Sequence, residues 1–159
     1  DYAISRELYF WISEHLEPGK TIVEFGSGSG TQEIGKQYRV YSVEHDPKWI
    51  GTAENCTYIH APLRDYGNYE WYDREVVQRQ LPEHYDLIIV DGPPNSAHTS
   101  QIGRQGFVDN LNMFRHDVPI VFDDVNRTEE YENMAAVAEQ LGRSIQLKRG
   151  WQKDFGVVI

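Results

Sequence analysis

The sequence predicts an α/β fold, a doubly wound and mostly parallel sheet with helices on both faces. Three observations carry that expectation. Short apolar runs of strand length alternate with helical patterns along the chain. One run, Leu87-Ile88-Ile89-Val90, is apolar on both parities, as a strand covered on both faces must be. A small-residue turn, Gly26-Ser27-Gly28-Ser29-Gly30, separates the first strand from the next helix, where backbone in such a sheet turns sharply and passes close to a ligand.

Taken in order, Ile4, Leu8, Trp11, Ile12 and Leu16 recur at helical spacing and predict a leading helix that Pro18-Gly19 stops. The first strand is Thr21 to Phe25, and a short helix is expected over Thr31 to Gln37. Arg39 to Val43 is the second strand. Pro47 is placed to start a helix running to about Ala53. Thr57 to His60 is the third strand. Residues 64–80 match neither period and read as an insertion with a short helix near its end, dense in aromatics at Tyr66, Tyr69, Trp71 and Tyr72.

The central strand, Tyr85 to Val90, halts at Asp91-Gly92-Pro93-Pro94. A helix over about Ile102 to Phe114 leads to a strand from Val118 to Phe122 that ends in Asp123-Asp124. Asn126, with Glu129 three residues on, has the form of an N-cap with its reciprocal carboxylate. Tyr131, Met134, Ala135, Ala138 and Leu141 then line one helical face up to Gly142. Ser144 to Lys148 and Phe155 to Ile159 are close enough to pair antiparallel.

A chain of 159 residues is expected to form a single domain spanning 1–159. It begins with Asp rather than Met, so excision from a longer protein and fusion to further domains stay open, as does a homo-oligomer. No apolar run approaches the roughly 18 residues of a membrane span. The single cysteine, Cys56, excludes an internal disulfide or a multi-cysteine zinc site and fits a reducing, cytoplasmic setting. A net charge of −10 would repel a phosphate backbone, which argues against nucleic acid as a partner.

The ligand expected at the glycine turn is a nucleotide. Glu44 ends the second strand eighteen positions beyond Gly26, where its carboxylate can accept hydrogen bonds from both hydroxyls of a ribose, with His45 beside it. A dinucleotide fingerprint needs glycine where Thr31 stands. Alternate glycines preceded by Glu24 instead resemble the first motif of class I S-adenosylmethionine-dependent methyltransferases. That resemblance extends over nearly the whole chain. It implies a Rossmann-like sheet of seven strands in the order 3-2-1-4-5-7-6 with the last strand antiparallel. It also implies cofactor contacts from Glu24, Gly26, Ser27, Gly28, Gly30, Glu44, His45 and Asp91, and adenine contacts from Ala61, Pro62 and Leu63.

Asp91, Asp123 and Asp124 lie at the ends of adjacent strands and can converge on one hard cation, Mg²⁺ or Mn²⁺, which prefers oxygen ligands. Consecutive strand residues point to opposite faces, so joint ligation by the pair requires the strand to end there. The trio resembles the metal site of catechol-type and macrolide-sugar O-methyltransferases. Asp124 stands where the catechol type carries Asn, which leans toward the sugar-modifying relatives. Asp91 is then a metal ligand or the base that takes the acceptor's proton, with His98 as the alternative base. Arg104, Arg127 and Glu130 are candidates for polar recognition, with surface ion pairing as the alternative, more so for Arg104 than for Arg127. The insertion's aromatics either form a wall for an acceptor ring or pack against the core.

The function expected is methyl transfer from S-adenosylmethionine to a hydroxyl of a small molecule, sugar or glycan, assisted by a divalent metal. The alternatives are an NAD(P)-dependent oxidoreductase and a non-catalytic domain that binds S-adenosylmethionine. None of the ten tyrosines has Lys four residues later, so the Tyr-Lys pair of short-chain dehydrogenases is missing.

Overall fold

Ser5 has an extended backbone and its hydroxyl accepts the Leu8 amide, one of the donors a helix start leaves unpaired, so helix α1 (Arg6–His15) begins where the apolar pattern does. The computed structural model describes residues 4–94 and 104–159. In them the chain continues through β1 (Thr21–Phe25), α2 (Thr31–Gly35), β2 (Arg39–Glu44), β3 (Cys56–His60), β4 (Leu63–Asp65), β5 (Glu70–Tyr72) and α3 (Arg74–Gln80). It then forms β6 (Leu87–Val90), α4 (Gln105–Asp109), β7 (Ile120–Phe122), α5 (Thr128–Leu141), β8 (Ile145–Lys148) and β9 (Phe155–Val158).

Seven of these strands make one sheet in the order β3-β2-β1-β6-β7-β9-β8. Counted by themselves along the chain, they stand 3-2-1-4-5-7-6, as expected. The first five in space are parallel, and β9 runs antiparallel to both β7 and β8. Every parallel strand therefore ends on the same edge, and the turn after β8 reaches that edge too. This is the edge at which a doubly wound sheet binds ligands.

Strand alternation sorts the core into two layers. Ile22, Leu87, Ile89 and Val121 pack with Leu8, Trp11 and Ile12 of α1 and Ile34 of α2. Val23, Phe25, Ile88, Val90, Ile120 and Phe122 pack with Val77 of α3, Phe107 of α4, and Met134 and Val137 of α5. A Cβ on Gly156 of β9 would collide with Met134, so glycine is what lets α5 lie against the sheet.

Four local expectations are corrected. The segment after Pro47 makes only a 3₁₀ turn, Pro47–Trp49, since Ile50 is already extended and Gly51 takes a positive φ. The insertion ends in the expected short helix, α3, whose N-cap Asp73 accepts the Glu75 and Val76 amides, but the part ahead of it is a β4-β5 hairpin that the pattern did not show. The helix expected over 102–114 stops at Asp109, with a separate 3₁₀ turn over Leu111–Met113; residues 101–103 lie outside the described ones. Helix α5 is capped at Arg127 without a side-chain bond, not at Asn126. The left-handed backbone of Asp124 (φ 59°) turns the chain and shifts the helix start one residue on.

The aromatics of the insertion pack inward. Trp71 and Tyr72 are fully buried, and Trp71 lies against Phe25 and Phe114, which in turn stacks on Phe107 at 4.6 Å between centroids. Burying each such ring is worth about 1.5–3 kcal/mol, so the hairpin is part of the core and not a wall for an acceptor. Among the described residues no helix is long and apolar enough to cross a membrane.

Candidate active site

Where β1 ends, the chain must pass in front of β6. Gly26 adopts φ +95° and gives its amide to the Val43 carbonyl at 2.9 Å, and a Cβ there would lie 2.5 Å from the Asp91 carbonyl oxygen. Only glycine fits that crossing. Glu24 lies buried beneath the loop, and its Oε1 accepts the hydroxyls of Thr31 at 2.7 Å and Ser42 at 2.8 Å. Thr31 Oγ1 in turn accepts the Gly28 amide at 3.1 Å. The residue that departs from the dinucleotide fingerprint is thus the one that closes this loop. Burial pushes Glu24 up to about 7 against the pull of those two hydroxyls. Gly30 is small for a packing reason, since a Cβ would meet Ile4 at 2.8 Å.

At the end of β2, Glu44 turns back toward the loop. Its Oε1 accepts the Ser27 amide at 2.9 Å, its Oε2 accepts the Asp46 amide at 2.7 Å, and His45 Nδ1 lies 3.1 Å from Oε2. Burial works to raise its pKa, but His45 and the two amides outweigh it and hold the group below the usual range. A fixed, ionised carboxylate results, with lone pairs left for further donors. Gly26, Ser27, Glu44, His45 and Asp91 line a cleft of about 480 Å³, a size that suits a nucleoside-sized ligand. Ala61 is buried at the end of β3 and gives its amide to the Glu44 carbonyl, and Pro62 and Leu63 follow it into β4; none of the three lines this cleft.

The far wall of the cleft is acidic. Asp91, Asp123 and Asp124 each present a carboxylate oxygen, and these atoms lie within 4.8 Å of one another. The strand ends at Phe122 and Asp124 is left-handed, which is how two consecutive residues come to share one side. Arg104 is 5% exposed. Its Nη2 reaches Asp91 at 3.0 Å and Asp124 at 3.5 Å, while Nη1 reaches the Asp123 carbonyl at 2.9 Å and Glu130 at 3.1 Å. Lys153 Nζ lies 2.7 Å from Asp123 and 3.7 Å from Asp124.

Arg104 is therefore an internal clamp, not a surface ion pair, and Glu130 is a buried member of the same network. Burial raises Asp91, with Asp123 adding to the effect, and burial raises Asp123. Arg104 and Lys153 face four carboxylates, and burial pushes Asp91 up to about 8, so the cluster relieves its crowding by holding a proton among oxygen donors alone. That donor set fits a hard divalent cation, in competition with the Lys153 ammonium. Arg127 stands at the start of α5 on the cleft's rim. His98 lies outside the described residues.

No protein-family model matches the sequence, and no curated protein matches it. Solved structures do match in fold. The Mtq2–Trm112 complex of E. cuniculi, responsible for methylation of the eRF1 translation termination factor, superposes with a TM-score of 0.56 at 16% identity, covering 99% of this chain and 95% of its own. MycE, the mycinamycin-pathway methyltransferase in complex with Mg, S-adenosylhomocysteine and mycinamycin VI, gives 0.56 at 15% identity over 96% of this chain and 48% of its own. A methyltransferase from Pyrococcus furiosus gives 0.57 at 13% identity over 96% and 79%. The chain has the methyltransferase fold.

Two features of this site escape the motifs. Lys153 sits in the β8-β9 turn, a stretch that looks like a plain connection, although β8 runs parallel to β7 and so delivers its turn to the ligand edge. The buried role of Arg104 has no periodic signal, because α4 is short and its charge is satisfied only by residues distant in sequence.

Proposed function

We propose that the chain is an S-adenosylmethionine-dependent methyltransferase acting on a hydroxyl acceptor. One observation carries this reading: Glu44, fixed by the Ser27 and Asp46 amides, opens on the same cleft as the acidic ends of β6 and β7. A ribose held at Glu44 next to the Gly26 crossing leaves the remainder of a nucleoside ligand pointing at Asp91. S-adenosylmethionine supplies a methyl group on a positively charged sulfur, which a wall of carboxylate oxygens favours. The fold neighbours support the same reading, since MycE is in complex with S-adenosylhomocysteine.

Asp91 is suited to take the acceptor's proton on the oxygen that Arg104 does not hold, because burial makes it a stronger base than an ordinary carboxylate. Arg104 keeps that carboxylate in one rotamer. Where Asp91 instead joins Asp123 and Asp124 around a divalent ion, the ion would lower the pKa of a bound hydroxyl and fix its orientation. A sugar or glycan hydroxyl is the acceptor class the trio favours. Residues 1–159 act as one domain in this scheme, in a reducing compartment such as the cytoplasm.

Calorimetry decides the first step. S-adenosylhomocysteine should bind in the micromolar range and NAD should give no heat; the reverse pattern would sink the reading in favour of an oxidoreductase. Methyl transfer from labelled S-adenosylmethionine to a hydroxyl acceptor, lost with Asp91→Asn while the homocysteine form still binds, separates an enzyme from a mere binder.

A further inference from the structure

A second cleft, of about 580 Å³, adjoins the first and shares Asp124, Arg127 and Lys153 with it. Its outer walls are the start of α1, at Arg6 and Glu7, and the β8-β9 turn, at Trp151 and Gln152. The indole of Trp151 is 92% exposed, the extreme case among the large apolar side chains of the described residues. Tryptophan is ordinarily well buried, and nothing in the core uses this one. The turn that carries it is nevertheless tied down. Glu7 Oε1 accepts the Trp151 amide at 3.1 Å, and Asp154 Oδ1 accepts the Gly150 amide at 3.2 Å.

The charges of this cleft divide cleanly. Its acids are engaged, Glu7 by the Trp151 amide and Asp124 by Arg104 and Lys153. Its guanidiniums are held more loosely: Arg6 lies over the Phe10 ring at 5.5 Å and acts on Glu7 only through its field, as Arg127 acts on Glu130, and neither closes to an ion pair among the described residues. In a chain of net charge −10, two guanidiniums with no close carboxylate partner, beside an exposed indole, form a local site for an anion with a flat face.

We infer that this cleft holds the methyl acceptor, and that the acceptor is a ring bearing a carboxylate: the ring stacks on Trp151, and Arg6 and Arg127 bind the carboxylate. The inference rests on the methyltransferase reading of the first cleft. A ring so placed presents its hydroxyls toward Asp124, Lys153 and the acid cluster, which lie along the shared boundary. Two sources supply that chemistry, a sugar acid and an aromatic acid.

Four probes separate them: digalacturonate, 4-hydroxybenzoate and the methyl ester of each, which keeps the ring and removes the charge. Each is titrated calorimetrically into the protein with and without saturating S-adenosylhomocysteine. One of the acids should bind at least about tenfold more tightly than its ester, and the acid that does so names the source. Arg6→Met and Trp151→Ala, which do not line the first cleft, should each weaken that acid about tenfold while leaving the homocysteine isotherm within twofold. Equal binding of acid and ester, no binding of either acid, or unchanged acid binding in Trp151→Ala would overturn the inference. Absence of any S-adenosylhomocysteine heat is a separate result that overturns the first-cleft reading, and the acid titrations without it still judge the second cleft.

Discussion

Nη2 of Arg104 donates to Oδ1 of Asp91 at 3.0 Å, from a guanidinium almost wholly removed from water. The same side chain reaches the Asp123 carbonyl and the Glu130 carboxylate, so it ties together the ends of β6 and β7 and the first turn of α5. Burial would lower its pKa, and Asp91, Glu130 and the Asp pair overcome that and raise it. Removing it leaves buried carboxylates with no counter-charge. Arg104→Met should cost about 3–5 kcal/mol in urea unfolding, a range set by broken buried ion pairs. Arg104→Lys should recover less than half of the loss, because one ammonium cannot span the separate acceptors. A loss under 1 kcal/mol for the Met variant would show that the network is not what joins these elements.

Glu24 gives the fold a pH dependence whose sign is fixed by burial. Its pKa rises from 4.5 unfolded to about 7 folded, so the native state favours the neutral acid. Its stabilising effect is complete below about pH 4.5 and is lost as pH rises through about 7, a change of about 1–3 kcal/mol. Glu24→Gln keeps an oxygen for Thr31 and Ser42 and cannot ionise. Its urea midpoint should fall less than that of the native sequence between pH 5 and pH 8. Parallel profiles for the two proteins would contradict the assignment.

The sheet was legible because its strands announce themselves locally. Leu87 to Val90 is apolar on both parities, and most of the parallel strands are separated by helices, which leaves few topologies. The acid trio was legible for a related reason: each Asp closes a strand, and all parallel strands end together. What pattern could not show is how those carboxylates are neutralised. Arg104 and Lys153 meet Asp123 from 19 and 30 residues away, through contacts that no periodicity encodes. The aromatics Trp71 and Tyr72 left two readings open for the same cause, since a short hairpin displays no clean alternation yet buries both rings.

Gly26 tests whether the crossing of loop and strand is obligatory. Alanine there meets the Asp91 carbonyl oxygen at 2.5 Å and must also hold φ +95°. Gly26→Ala should destabilise by about 1–3 kcal/mol and abolish S-adenosylhomocysteine binding at concentrations that saturate the native protein. Gly19→Ala is the control. Gly19 also has positive φ but no neighbour within 4 Å of a Cβ, so this variant should bind normally. Equal effects of the two substitutions would assign the loss to backbone strain alone.

Glu44 tests the ribose contact. Glu44→Gln preserves shape and removes the charge that the two loop amides now stabilise. S-adenosylhomocysteine affinity should fall about tenfold to a hundredfold, the scale of a lost charged hydrogen bond. The native form holds its pKa below the usual carboxylate range, so binding should be flat from pH 6 to 8 and weaken only in acid. An unaltered isotherm for the variant would move the nucleoside elsewhere in the cleft.

The competition at Asp123 decides how the acid cluster is used. Lys153 Nζ lies 2.7 Å from Asp123 Oδ2, and Oδ1 already accepts the Asp124 amide, so a divalent ion competes with the ammonium for this carboxylate. Burial would lower the Lys153 pKa, and Asp123 overcomes it and raises the group, so deprotonation near neutral pH offers no way out. Mn²⁺ binding followed by electron paramagnetic resonance should therefore be weak in the native sequence and about tenfold tighter in Lys153→Met, and Asp123→Asn should abolish it in both. S-adenosylhomocysteine should bind all of these variants. If the Met variant also fails to take up Mn²⁺, the trio is a scaffold of ion pairs, and methyl transfer should then withstand exhaustive chelation.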